Sequence, residues 1–216
     1  QKTAYEIASC LVGSEMCIRD RMYNNGLSSG SYTVVDENTK HNQGDFCCDR
    51  IHIVYGDFVE TDPDQPYKRY KTTYFALPVD QDNDKRYAAY KTVQSWQQGI
   101  DDEVGAWVTD CGECYVKQKI RDHVVDMEFI PLGFSGKILD PYPMPGSDVA
   151  ARDNLYRISA VDLRLTFRSK NMFYRFSSTD KPRWLQGLGD RHKAFTDKYL
   201  RDTIIVTAHA RNLGME

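Results

Sequence analysis

The pattern of hydrophobic and polar positions is clearest toward the C-terminus. From Ile158 to Arg168, Val161, Leu163, Leu165 and Phe167 alternate with Asp162, Arg164, Thr166 and Arg168. A period of two predicts a strand with one face on a core and the other in water. Arg201–Leu213 repeats it, with Ile204, Val206, Ala208 and Ala210 set against Ile205, Thr207, His209 and Arg211. In Val124–Ile130, Val125, Met127 and Phe129 read as inward, and Asp126 and Glu128 as outward. Arg50–Phe58 is a further strand with Ile51, Ile53 and Tyr55 on one face. Tyr70–Leu77 is its expected antiparallel neighbour beyond the Pro- and Asp-bearing turn Thr61–Pro66. Tyr32–Val35, Tyr87–Trp96, Ala106–Thr109 and Tyr115–Lys119 are weaker strands. Met22–Gly44, Gly133–Gly146 and Asn171–Gly189 read as loops, and His192–Leu200 as a short helical turn. With no repeat and no linker, these elements predict one mainly β domain, an antiparallel sheet with little helix.

Composition agrees with that picture. Charged residues make up 27% of the 216 and hydrophobic ones 41%, a globular balance. The 14 Tyr, nine Phe and three Trp suit a pleated, half-buried surface. A net charge of −3 offers no basic footprint, so no nucleic-acid partner is expected. No stretch approaches the ~20 apolar residues of a membrane-spanning helix. The first 21 residues stand apart. Gln1–Ile7 and Leu11–Arg21 resemble translated sequencing-library adapters, in adapter order, with an index-sized gap between them. Residues 1–21 are therefore read as a non-native adapter-derived segment, and 22–216 as a single β-rich domain whose true start is missing.

Candidate chemistry is sparse. Setting Cys10 and Cys17 aside leaves Cys47-Cys48 and Cys111-Gly112-Glu113-Cys114. Exported domains use such residues as disulfides, and a bridge between adjacent cysteines is strained. Two bridges joining Cys47 and Cys48 to Cys111 and Cys114 are the expectation; a Cys₄ zinc site, or free or redox thiols, are the alternatives. Asp80, Asp82 and Asp84 alternate as at the start of a calcium loop, but Lys85 and Lys91 stand where an EF-hand needs Gly and Glu. A solvated turn is the plainer reading, a looser calcium site the alternative. Gly133-Phe134-Ser135-Gly136-Lys137 has neither P-loop nor nucleophile-elbow spacing and reads as a turn. The His residues are scattered, and acidic pairs such as Asp101-Asp102 are expected by chance among 31 acids. Arg164 and Arg168 read as exposed charges that discourage edge pairing, or as contacts to a neighbouring subunit. No catalytic residue and no cofactor is expected.

The order of the last elements carries a resemblance. Ile120–Ile130 (IRDHVVDMEFI), Ile158–Ser169 (ISAVDLRLTFRS) and Tyr199–Leu213 (YLRDTIIVTAHARNL) look like the C-terminal half of PilW-like minor pilins and of J-type pseudopilins of type II secretion. Asp49–Gly56 (DRIHIVYG) is similar to their early strand. The resemblance implies a pilin or pseudopilin head, a structural and non-enzymatic subunit that packs near a filament tip and primes assembly. It also implies partners among other minor pilins or pseudopilins and the major pilin. Such a subunit is exported and held in the inner membrane by an N-terminal helix, missing here, with a periplasmic head that later joins a cell-surface filament. A secreted β-domain that binds or hydrolyses carbohydrate, suggested by the aromatic residues, is the reading of a different class. A virion or appendage structural protein is a third.

Overall fold

The computed structural model describes residues 32–36, 47–58, 67–79, 86–97, 105–109, 114–140, 149–155, 157–176, 181–186 and 192–209. Residues 1–21, the calcium candidates Asp80, Asp82 and Asp84, and Cys111 lie outside them. Among the described residues, eight strands form one antiparallel sheet. They are β1 (Tyr32–Asp36), β2 (Arg50–Phe58), β3 (Tyr67–Pro78), β4 (Tyr87–Gln97), β5 (Ala106–Val108), β6 (Tyr115–Gly133), β7 (Ile158–Arg168) and β10 (Arg201–His209). The order is β1-β2-β3-β4-β6-β7-β10, with β5 paired to β4. A two-stranded ribbon, β8 (Arg183–Gln186) with β9 (His192–Phe195), fills the connection between β7 and β10. Among the described residues, one short helix, α1 (Val149–Asn154), sits between β6 and β7 and buries Ala151 and Asn154.

The 19-residue β6 organises the sheet. Its first part pairs with β4, from Tyr115 opposite Val93 to Val124 opposite Tyr87; its second part pairs with β7, from Val124 opposite Phe167 to Gly133 opposite Ile158. Register shifts interrupt both ladders, and His123, at the junction, has φ 61°. Bulges of this kind bend a strand and increase its twist. The sequence predicts two separate strands here because the mostly polar stretch Lys117–His123 breaks the alternation. The backbone instead continues through it as one bent strand.

The bend lets the sheet close on its own apolar face. Ile51 and Ile53 of β2, Tyr74 of β3 and Ala89 of β4 meet Val124, Met127 and Phe129 of β6. Ile158, Val161, Leu163 and Leu165 of β7 and Ala208 of β10 complete the same core. Val161, Leu163, Leu165 and Ala208 are inward positions that the alternation marks, and the register sets Leu163 opposite Val206 and Val161 opposite Ala208; Ile204, marked inward and opposite Leu165, is instead 39% exposed. Full burial of a side chain as large as Phe129, at 0% exposure, contributes about 1.5–3 kcal/mol.

Two expectations need correction. The stretch read as loop and helical turn between Asn171 and Leu200 holds the β8–β9 ribbon. Its strands are four residues each, too short for their periodicity to show. The face carrying Asp126, Glu128, Thr166 and Arg168 is not in water either, since each of the four is 7% exposed or less. Arg164 lies 3.7 Å from the buried Glu128 carboxylate, and Thr166 shares a 2.8 Å hydrogen bond with Thr203 across the β7–β10 pair. Because β10 covers β7, neither Arg164 nor Arg168 guards a sheet edge.

Candidate functional site

Residues 47–49 lead into β2 and form a closed corner against β6. Beyond Val124, β6 has left β4, so that side of its backbone needs other partners. Asp49 provides them. Its N–H donates to the Met127 carbonyl at 2.8 Å, and its Oδ2 accepts the Phe129 N–H at 3.0 Å. Asp49 is 1% exposed, so these bonds satisfy strand-edge groups that water does not reach. The neighbouring Cys47 and Cys48 are joined by a disulfide, with their Cα atoms 3.1 Å apart. Their sulfurs and a carboxylate oxygen of buried Asp126 lie within 4.8 Å of one another, a grouping that could hold a metal only with the cysteines reduced to thiolates.

The expected cross-links from Cys47 and Cys48 to Cys111 and Cys114 are therefore not formed. Cys114, which immediately precedes β6, is also in a disulfide, and its partner lies outside the described residues. Strand geometry explains the separation. The Cys47–Cys48 corner docks at residues 126–129 of β6, about twelve residues beyond Cys114. At ~3.3 Å per residue that strand length is several times the 4.4–6.8 Å Cα spacing a disulfide tolerates. The same separation keeps Cys114 from joining Cys47 and Cys48 on one zinc ion. Gly133–Lys137 is a turn, as its spacing implies: the Gly136 N–H donates to Gly133 and the Gly133 N–H to Lys137, with Gly136 at φ 71°.

A second site, which the sequence reading missed, is built on the β7–β10 connection. Ser169 bonds through its backbone to Leu200, and Phe173 and Tyr174 to Lys198, so the segment folds back across the end of the sheet. Arginines hold it by stacking on aromatic rings: Arg168 over Tyr199 at 4.2 Å, Arg183 over Tyr174 at 4.1 Å and Arg201 over Phe195 at 3.6 Å. Arg201 also forms a fork with the Asp197 carboxylate, one arm at 2.7 Å, while Arg183 donates to the Asp197 carbonyl. Burial pushes the Asp197 carboxyl up. The hydrogen bonds from Arg201 and from the Tyr199 N–H, with the nearby guanidinium charges, outweigh that and hold it below the ordinary carboxylate value. Nearby, burial and the adjacent Arg86 charge hold the His123 imidazole below its usual value, against the opposing pull of Asp122.

Around this framework, Met172, Phe173, Phe176 and Trp184 are 63–81% exposed. A signal for the site does exist in the chain. The 34 residues from Arg168 to Arg201 hold nine Lys or Arg against three Asp or Glu, a net of +6, which leaves −9 on the remainder. Whole-chain net charge conceals that asymmetry. None of the described helices is long and apolar enough to cross a membrane.

No protein-family model and no curated protein matches the sequence. In three dimensions the chain is similar to a type IV-like pilin from Thermus thermophilus. The two share 11% identity and a TM-score of 0.55, over 98% of this chain and 95% of that one. The likeness is one of fold: a mainly antiparallel sheet with little helix, in the architecture of a pilin-like head.

Proposed function

We propose that this chain is the globular head of a minor pilin or pseudopilin, a non-catalytic structural subunit of a type IV pilus or type II secretion filament. The observation that carries the reading is the pilin-like fold, which extends over nearly the whole of both chains compared. The order of the C-terminal strands adds to it. IRDHVVDMEFI, ISAVDLRLTFRS and YLRDTIIVTAHARNL follow the PilW-like and J-type pattern, and they form β6, β7 and β10, adjacent in the sheet. A structural role also suits where the polar side chains go. Asp49 seals a strand edge, Glu128 meets Arg164, and Asp197 ties Arg201.

In this reading the head is exported, is tethered to the inner membrane by a helix preceding the native domain, and joins other minor pilins or pseudopilins near the filament tip. Antibody raised against the domain tests it on cells carrying the gene. Label on sheared surface filaments, or on pseudopilus material, is the expected result. Label confined to freely secreted protein, with none on filaments or the envelope, would overturn it.

A further inference from the structure

Three donor atoms meet at the corner that leads into β2. The Cys47 and Cys48 sulfurs and one carboxylate oxygen of Asp126 share a space no wider than 4.8 Å. They come from segments far apart in sequence, and Asp49 clamps those segments together. Its N–H donates to the Met127 carbonyl at 2.8 Å, and its carboxylate accepts the Phe129 N–H at 3.0 Å. Asp49 directly follows Cys48 and Met127 directly follows Asp126, so these bonds keep the sulfurs and the Asp126 carboxylate side by side. They do so without relying on the sulfur–sulfur bond. Cys47 and Asp126 are each 3% exposed, while Cys48 is half-buried and gives solvent a way in.

We propose that this corner is a redox-gated metal site, in which the two reduced cysteines and Asp126 hold one thiophilic divalent cation of the zinc and cadmium class. The Cys47–Cys48 bond opens by exchange with an external dithiol. Two electrons pass to the cysteine sulfurs, the dithiol closes into its own disulfide, and its two protons move to the cysteines. The cation then displaces those two protons. One divalent cation enters as two protons leave, so ligation adds no net charge to a buried corner. Tetrahedral zinc, with Zn–S of ~2.3 Å and Zn–O of ~2.0–2.2 Å, sets its ligands about 3.6–3.8 Å apart, a spacing the grouping already encloses. Two thiolates select such a cation over calcium or magnesium, which take oxygen ligands. Water from the Cys48 side completes the fourth position. The site is independent of the filament reading.

The test uses the full chain, reduced with dithiothreitol and then freed of it under argon. Peptide-resolved alkylation separates Cys48 from the chain's other cysteines. Excess zinc should slow alkylation of Cys48 by at least about tenfold. The thermal midpoint of the reduced chain should rise with zinc, as it does for any ligand that binds the folded state. Asp126→Asn keeps the shape but replaces the carboxylate with a neutral, weaker donor. Half-protection of Cys48 should then need at least the roughly 10–100-fold more zinc that loss of an outer-shell partner costs. Equal alkylation of Cys48 with and without zinc, protection confined to the other cysteines, or undiminished protection in Asp126→Asn would overturn the proposal. So would loss of the β-sheet circular-dichroism signal in the reduced chain with zinc present, because the corner would then exist only with its bond closed. If Asp126→Asn itself lacks the sheet signal, wild type decides: a thermal midpoint unmoved by zinc overturns the site, and a rise together with protection of Cys48 supports it.

Discussion

Replacing Asp49 by Ala removes a buried carboxylate whose Oδ2 accepts the Phe129 N–H at 3.0 Å, while the backbone bond from Asp49 N–H to Met127 can persist. Phe129 is 0% exposed, so its freed N–H finds no water. A hydrogen bond to a charged acceptor contributes about 1.5–3 kcal/mol, and a buried donor left unpaired costs about 1–3 kcal/mol. The two figures describe the same loss, so a net of about 2–3 kcal/mol is expected. Asp49→Asn keeps an acceptor oxygen in place and should cost less than half as much. Urea unfolding with disulfides intact, followed by tryptophan fluorescence, reads the difference. With m on the order of 2 kcal/mol/M, the Asp49→Ala midpoint falls by about 1 M. If Asp49→Ala unfolds within about 0.5 kcal/mol of wild type, the size expected of an ordinary surface substitution, Asp49 does not seal the β6 edge.

Three further outcomes follow from the structure. Phe129→Ala, at the centre of the core, should destabilise by about 3–5 kcal/mol in the same assay. Non-reducing peptide mapping should recover Cys47 and Cys48 bonded within one peptide, and a cross-linked peptide joining them to Cys114 would contradict the structure. His123 is held below its unfolded value, so the unfolded chain takes up a proton first and stability declines as pH falls through about 6.5. His123→Asn, which tolerates a φ of 61°, should flatten thermal stability between about pH 7.5 and 5.5. An unchanged slope there would assign the decline to other groups.

Much of the sheet was legible because alternation reports face directly. β2, β7 and β10 begin where the pattern begins, and Leu163, Leu165 and Ala208 point to the core as the pattern requires. Alternation does not report what covers the opposite face. Asp126 and Glu128 were correctly assigned to the face opposite Met127 and Phe129, yet they are buried, Glu128 against Arg164 and Asp126 beside the Cys47–Cys48 corner. The cysteine corner was not legible, since pairing depends on where along β6 each cysteine docks, and spacing in sequence carries no such information. The aromatic end was missed for a different reason. Asn171–Gly189 read simply as loop, and only the company of nine Lys and Arg between residues 168 and 201 hints that Phe173, Phe176 and Trp184 lie on the surface. The pilin resemblance, drawn from the order of three segments, agrees with the fold at the level of a pilin-like head.

With residues 1–21 taken as adapter-derived, as proposed from the sequence, the filament proposal meets its most direct test in the genomic sequence upstream of Met22. The expected reading frame carries a short leader, a processing site and a long apolar helix of at least ~20 residues running into the native domain. A cleavable signal peptide followed directly by strands, with no such helix, would contradict a pilin or pseudopilin subunit.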